Sequence, residues 1–588
     1  MPLPTPTPEQ FEAIKRHGRY VLRACPGSGK TFTVAYRIAE RVGKWKSIHS
    51  GLAALSFTNV ACEEIRDVVE QLGAGRAFES PHFIGTLDSW IDSYIFLPFG
   101  HQVMGCTRRP VIVGFGEKPW SQAGRWAWRE IECNKGCSLT DFSWDLNGEV
   151  VDIRPRPRNC TLHHSRCMKM KKQFSEAGYA TQTDAAYWAV RVLEQYPGLA
   201  KALVRRFPEL LIDEAQDTSH AQMKIIDLLV AAGLKEVVLV GDPDQAVYEW
   251  RTAHPELFLQ KISASGWEKP LNLTENKRSS QAICDATHPF STLPSPSKGR
   301  EKGKRPQTWF FDEGDPHSVV DRFVEMCAAE GIDATRQSIA VLVRGRTLLR
   351  RILKLSEDVD PWLQDASPTR PLACAAWERD RGRPKDARRW TEVSIIYLLG
   401  ADPKDIKLED LIGLRSGVRS IGMMLHRLTN SLPETSLPLN SWVSAARQAF
   451  ETWAATTGWS FSPNVASMIA VKAYRLVKGK QNEKSARTTD FLDRPVASYF
   501  DAPISPHLVT VETVHSAKGK TYEAVLLALS KYQPCTVKVL AEAGPDSEER
   551  RTAYVAMTRP RSLLVVAVPN GTKEQNLARF GGFDIVKE

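Results

Sequence analysis

The stretch from Leu210 to Arg251 restricts the fold more than any other part of the chain. Leu210-Leu211-Ile212 runs directly into Asp213-Glu214-Ala215-Gln216-Asp217. An apolar run that stops at adjacent carboxylates reads as a buried strand with its acids at the carboxyl end, where open α/β sheets bind ligands. A second run, Val237-Val238-Leu239-Val240, ends in the polar burst from Gly241 through Asp242, Gln245, Tyr248 and Trp250 to Arg251. Two such strands ending side by side can bring a metal-binding acid, a water-orienting acid, a glutamine and two aromatics to one crevice. The competing reading is that Asp213 and Glu214 only cap the next helix.

Near the amino terminus, Thr7 as cap and Pro8 in the first turn begin a helix that carries Gln10. A strand centred on Val21-Leu22 then leads into Ala24-Cys25-Pro26-Gly27-Ser28-Gly29-Lys30-Thr31, which opens an amphipathic helix through Arg41. The glycines let backbone N–H groups wrap a phosphate at a helix N-terminus. Lys30 is placed to neutralise β- and γ-phosphates, and the Thr31 hydroxyl to ligate Mg²⁺. The full phosphate-loop spacing calls for glycine four residues before Gly29, and Cys25 stands there. A chance Gly-Lys-Thr turn is the alternative; the strand before it and the helix after it argue against that.

At 588 residues the chain is too long for one core, and about three to five domains are expected. Hydrophobic residues at 42% and charged residues at 25% fit a soluble globular protein. No apolar run approaches the roughly 20 residues of a membrane span, and no basic-then-apolar leader follows Met1. Eleven cysteines without framework spacing point to reduced thiols and a cytoplasmic setting. The net charge of +10 suggests a polyanionic partner. Within a basic, Trp-bearing insert, Cys133, Cys137, Cys160 and Cys167 accompany His163 and His164; without paired CxxC spacing they are expected to be metal-free.

Further strand ends follow the same pattern. Phe57-Thr58-Asn59 and Gly85-Thr86 each close a short apolar run and, taken singly, are ordinary strand-to-helix turns. Leu271 to Leu273 leads to Asn276, Lys277 and Arg278, and Pro294 to Pro306 reads as a solvated basic loop. Ile339 to Val343 starts a second α/β unit. The basic clusters at Arg379–Arg389 and Lys472–Arg487 are most simply solvated faces, with phosphate contact as the alternative. Val509 to Lys520 is a strand running into a Ser/Gly turn, Val525 to Leu527 a buried strand, Glu548 to Arg559 a helix delivering Arg559, and Leu563 to Val568 the strand closing the sheet.

Taken in order, these stretches resemble superfamily 1A DNA helicases of the UvrD/Rep type: Gln10, the phosphate loop, Phe57 to Asn59, Gly85-Thr86, Asp213 to Asp217, Gly241 to Arg251, Asn276 with Arg278, Thr513 to Gly519, and Tyr554 to Arg559. The resemblance implies an α/β chain with two RecA-like parallel-sheet P-loop domains, each carrying an inserted, mainly helical subdomain. The first would comprise 1–95 and 196–270 around an insert at 96–195; the second, 271–355 and 501–588 around an insert at 356–500. It implies ATP and Mg²⁺, with Gln10 at the adenine and Gly27, Ser28, Gly29, Lys30 and Thr31 at the phosphates. Asp213 would support the metal, Glu214 activate water, Gln245 sense the γ-phosphate, and Arg278 and Arg559 act as arginine fingers. DNA would be met by Phe57, Thr58, Asn59, Thr86, His515 and Lys518, with Tyr248 and Trp250 as base-stacking aromatics.

The chain departs from the family pattern at two places. Lys277 stands where an adenine-stacking tyrosine is usual, and Lys520-Thr521-Tyr522 replaces Leu-Glu-Phe. Its compact form and the Gly85 to Gly100 segment are similar to the helicase subunit of Gabija-type antiphage systems, which pairs with an OLD-type ATPase–nuclease. Two functions follow: a 3′→5′ single-strand DNA translocase that separates duplexes, or a nucleotide- and DNA-sensing regulatory subunit of such a nuclease.

Overall fold

A computed structural model describes residues 5–586 except 114–141, 154–163, 248–253, 302, 336, 354–366, 402–407, 409–417, 472–474, 478–485, 489, 501–508, 532–535 and 545–546. Two compact units divide the chain, one holding residues 353–504 and the other both large sheets.

The first sheet contains β1 (Arg19–Ala24), β2 (Leu52–Ser56), β3 (Phe83–Thr86), β4 (Glu209–Ile212), β5 (Glu236–Gly241) and β6 (Leu271–Leu273). Its order is β6-β1-β5-β4-β2-β3 and every pairing is parallel. Side chains alternate between two buried faces. Val21, Leu55, Leu210, Ile212 and Leu239 enter one core, while Tyr20, Leu22, Ala54, Leu211 and Val240 enter the other. Burial on both faces is why these strands read as unbroken apolar runs.

Four helices support the ends of these strands. Helix α1 (Pro8–Lys15) begins with a capping box in which the Thr7 hydroxyl accepts from the Gln10 N–H and the Gln10 side chain accepts from the Thr7 N–H. Helix α2 (Lys30–Gly43) buries Val34, Ala35 and Ile38. Its Arg37 is buried beside Glu209 and donates to the carbonyls of Ala13, Ile14 and Arg16. That side chain pins the end of α1 to α2 and so fixes where Gln10 lies. Helices α3 (Asn59–Gln71) and α4 (Leu87–Ile91) follow β2 and β3, capped by the hydroxyls of Thr58 and Thr86.

The second sheet contains β7 (Gln307–Phe311), β8 (Ile339–Val343), β9 (Thr510–Thr513), β10 (Tyr522–Ala528), β11 (Pro560–Pro569) and β12 (Asp584–Val586), in the parallel order β9-β8-β10-β11-β7-β12. Two details differ from expectation. The strand at Leu271 does not open the second sheet: Leu271 pairs with Leu22 at the edge of the first, because its backbone continues the β1 ladder. The segment 563–568 does not close the second sheet either, since β11 lies between β10 and β7. The basic loop is partly packed: Lys298 pairs its backbone with Thr274 and Asn276, and Ser297 is buried.

Two helices between β3 and β4, α5 (His164–Glu176) and α6 (Gln182–Gln195), are joined by a fully buried ion pair. Lys171 Nζ donates to Asp184 Oδ2 at 2.6 Å with both side chains 0% exposed. Asp184 also accepts from the Thr181 N–H at 2.9 Å and the Ser143 hydroxyl at 3.3 Å. Tyr187, Ala189 and Leu193 of α6 enter the same core as β4. In the 353–504 unit, helices Thr369–Asp380, Pro384–Leu398, Val418–Ser431 and Leu439–Ala454 bury Leu372, Ile395, Leu425 and Trp442 in one core. Its Arg379 is not a solvated charge, since it donates to the carbonyls of Thr429 and Pro433.

Removing one partner of a satisfied buried pair strands the other charge. Asp184→Ala is expected to destabilise the protein by about 3–5 kcal/mol, read as a lower urea midpoint. The double variant Lys171→Met, Asp184→Leu should recover most of that loss.

Candidate functional site

β1, β5 and β4 lie side by side in parallel, so their carboxyl ends converge. After β1 the chain turns through Gly27 and Gly29, both with positive φ (72° and 77°). At Gly27 a side chain is excluded twice: the backbone is left-handed, and a Cβ there would lie 2.3 Å from Asn276 Oδ1 and 2.6 Å from Arg278 Cβ. The Cys25 N–H donates to the Leu273 carbonyl at 3.0 Å, holding the loop to the edge strand. Ser28 Oγ donates to the Cys25 carbonyl at 2.7 Å, and Gln10 Nε2 to the Ser28 carbonyl at 2.8 Å. Lys30 and Thr31 open α2 at this turn.

Lys30 Nζ donates to Glu214 Oε1 at 3.0 Å, with side chains 13% and 23% exposed. Glu214 has φ 53°, a left-handed backbone that a residue with a Cβ seldom adopts. Strain of this kind concentrates at functional sites. Gln216 joins the two acidic strand ends: its Nε2 donates to Glu214 Oε2 at 2.5 Å and its Oε1 accepts from the Asp242 N–H at 3.1 Å. The capping alternative for Asp213 and Glu214 fails. The following helix, α7 (His220–Ala231), is capped by Ser219 in a box with Gln222.

Arg559 comes from the second-sheet half, and Arg278 from the turn after β6. Helix α8 (Glu548–Met557) ends two residues before Arg559, which is 2% exposed. Arg559 Nη2 donates to Gln245 Oε1 at 2.7 Å, and Gln245 Nε2 donates to Asp242 Oδ2 at 2.6 Å. Arg278 Nη1 donates to the Thr558 carbonyl at 3.2 Å, while Asn276 Oδ1 holds the Arg278 N–H at 2.8 Å.

These charges are sorted by sign, and burial acts on both groups. It pushes Asp213 up to about 7, aided by Glu214, and Asp242 up to about 7, aided by Asp244. Glu214 goes the other way: burial raises it, but Lys30 and Lys518 outweigh that and hold it at about 2. Burial and then Arg559 lower Arg278 to about 9, and burial lowers Arg559 to about 10. Crowded buried acids would be relieved by a divalent cation, and crowded buried arginines by a polyanion. The residues present therefore fit a magnesium–nucleotide, with Thr31 and Asp213 able to hold the metal.

At the other end of the loop, Lys277 Nζ donates to Gln10 Oε1 at 3.2 Å and lies 5.8 Å from the Phe32 ring centroid. Its N–H donates to the Gly27 carbonyl at 2.9 Å. A lysine thus sits against Gln10 where the family pattern has an aromatic. Phe57 and Thr58 are half-buried and Asn59 exposed at the end of β2, directly beside Thr86 at the end of β3. His515, half-buried, faces Arg344, whose guanidinium reaches both Glu549 oxygens at 3.1 Å. Lys518 does not face solvent; it donates to Asp217 Oδ2 at 2.6 Å, with side chains 11% and 1% exposed. Tyr248 and Trp250 lie outside the described residues, as do Cys133, Cys137, Cys160 and His163 and the side chains of His164 and Cys167.

Some members of this assembly escape a motif reading. Arg344 directly follows the apolar run of β8, so the same strand-end logic would have found it. Asp244 accepts from Ser291 Oγ at 2.8 Å and the Thr292 N–H at 2.9 Å, and Arg551 Nε donates to the Ala246 carbonyl at 2.8 Å. These contacts seat the loop after β5 against the second-sheet half, and nothing in their local sequence announces a distant partner.

Two family models match the chain. The UvrD/REP helicase N-terminal domain matches residues 6–96 and 159–265, and the UvrD-like helicase C-terminal domain matches 497–570. The chain belongs to the UvrD/Rep helicase family. Its two parallel sheets are the RecA-like pair of these ATP-dependent DNA helicases. It is 23% identical to DNA helicase II of Haemophilus influenzae, over 94% of this chain and 82% of that one. It is 24% identical to the ATP-dependent DNA helicase PcrA of Staphylococcus aureus, over 95% and 82%. Across 281 residues it is 25% identical to a probable DNA helicase II homolog of Mycoplasma capricolum, covering 45% of this chain and 37% of that protein.

In this UvrD/Rep chain the Lys518–Asp217 pair links the two RecA-like halves, and its value can be isolated by a double-mutant cycle. Lys518→Met alone should lower the melting temperature, since breaking a buried pair costs about 3–5 kcal/mol. In Lys518→Met, Asp217→Asn the two losses should be clearly less than additive.

Proposed function

We propose that this UvrD/Rep-family protein is an ATP-driven 3′→5′ single-strand DNA translocase that separates duplexes as it moves. The observation that carries the reading is the contact of Arg559, from the second sheet, with Gln245 at the nucleotide end of the first. A glutamine facing the phosphate site and held by an arginine from the opposite half lets cleft closure and phosphate chemistry depend on each other. The 3′→5′ polarity is carried over from the resemblance to UvrD/Rep helicases and is the part of the proposal that tailed duplexes test.

The roles follow from the charges. Gly27, Ser28, Gly29 and Lys30 cradle the phosphates of ATP. Thr31 and Asp213 would hold Mg²⁺, which would supply positive charge against that developing on the phosphates. Glu214, kept ionised by Lys30 and Lys518, accepts the proton of the attacking water. Arg278 and Arg559 stabilise the transferring phosphoryl group. Gln10 and Lys277 address the base. With lysine at 277 instead of a stacking ring, base discrimination is expected to be weaker than in relatives with an aromatic.

On the DNA side, the adjacent ends of β2 and β3 place two helix N-termini together, an arrangement suited to a phosphate backbone. Phe57, Asn59 and Thr86 are the contacts assigned there. His515 and Lys518 act from the second sheet, Lys518 through Asp217 as well as by its charge. Tyr248 and Trp250 are assigned as stacking platforms from the family pattern. The regulatory alternative, with an OLD-type nuclease partner, rests on the compact form of the chain and on the Gly85 to Gly100 segment. There Phe96 is buried in the core, and a Cβ on Gly100 would meet the Phe96 carbonyl at 2.7 Å, so packing accounts for both residues.

The test is displacement of a labelled strand from duplexes with a 3′ or a 5′ single-stranded tail, run with ATP turnover. Unwinding of the 3′-tailed duplex alone is expected; equal or opposite tail preference overturns the polarity, and DNA-independent turnover overturns the coupling. Glu214→Gln should bind ATP but hydrolyse it at least about a hundredfold more slowly, while Lys30→Ala should abolish turnover without loss of fold.

Trp250 separates stacking from packing. Trp250→Ala is expected to keep its melting temperature and basal ATPase while losing single-strand affinity and DNA stimulation. Early unfolding, on the order of 3–5 kcal/mol, would instead mark an emptied core site.

A further inference from the structure

Away from the nucleotide site, two imidazoles and a carboxylate meet on the surface. His220 is the first residue of α7, and His254 and Glu256 flank Pro255 at the start of the short helix Pro255–Gln260. The ring centroids of His220 and His254 are 4.1 Å apart, inclined at 49°. His254 Nδ1 lies 2.8 Å from Glu256 Oε1. One ligand atom from each of the three residues falls within 4.8 Å of the other two, with His220 and Glu256 exposed and His254 half-buried. The backbone builds this cluster: the His254 N–H donates to the Thr218 carbonyl at 3.1 Å, docking the segment before Pro255 onto the turn that leads into α7.

Burial and then the His254 ring lower the affinity of His220 for a proton. Two imidazoles close together beside a carboxylate form the donor set of a borderline transition-metal cation, and a poor one for Mg²⁺ or Ca²⁺, which prefer oxygen.

We propose that His220, His254 and Glu256 bind one Zn²⁺-class cation, with solvent completing its shell. The two ligand segments follow the strand ends that carry Asp213–Glu214 and Asp242–Gln245. The bound ion therefore staples together the exits of the two segments on which nucleotide chemistry depends, and acts by restraining them.

The probe is Co²⁺ added to EDTA-treated full-length protein in excess Mg²⁺, which occupies oxygen-rich sites. The expected result is one equivalent bound with visible d–d absorption and no thiolate-to-metal charge transfer. Zn²⁺ should displace it and raise the melting temperature. His220→Ala and His254→Ala should each weaken Co²⁺ affinity at least about tenfold and lose the Zn²⁺ effect on melting. Their metal-free melting should match wild type, since His220 is exposed and His254 half-buried. Unchanged affinity in the variants, no stoichiometric binding, or thiolate charge-transfer bands that persist in His254→Ala would each overturn the site.

Discussion

The Lys30–Glu214 ion pair is the contact on which the nucleotide site depends. It lies where three parallel strands end, and its burial raises the cost of every neighbouring charge. Glu214 can remain ionised only because Lys30 and Lys518 are near, whereas Asp213 and Asp242, lacking comparable neutralisation, are driven toward protonation. Arg559 from the second-sheet half, and Arg278 from the turn after β6, are pushed the opposite way by the same loss of water. A fold that puts β1, β5 and β4 in this order generates such a site almost unavoidably, since polar residues at those strand ends have nowhere else to go.

Much of this is legible in the sequence because it is local. Apolar runs buried on both faces of a parallel sheet stand out, and their polar ends mark one edge of that sheet. Lys30, Asp213, Glu214 and Gln245 follow such ends or begin helices after them, and the structure sets Gln10 of α1 and Arg559, between α8 and β11, against this group. Pairing between distant segments is what a linear pattern hides. Leu271–Leu273 looks like the start of a new unit, yet its ladder belongs to β1. Lys518 looks like a solvent-facing cation, but Asp217, 301 residues away, accepts its charge. The strand Gln307–Phe311 escapes notice because it is short and follows a stretch rich in Pro, Ser and Lys.

Side-chain chemistry also has ordinary duties that a motif conceals. Thr58 and Thr86 cap helices with the same hydroxyls that a DNA reading would assign to a phosphate backbone. Asn276 spends its carbonyl on two N–H groups of its own turn. Local folding fixes these side chains whether or not a ligand is present.

Cys25 occupies the first glycine position of the phosphate loop, and its thiol is fully buried, with burial pushing it up to about 12. Only a thiolate is readily oxidised or alkylated. Cys284, which accepts from Asn276 beside this loop, is held at about 11. Both thiols beside the phosphate loop therefore favour the protonated, less reactive form. Peroxide or a maleimide should find these two thiols closed, and slow labelling of Cys25 would report the opening of the loop itself.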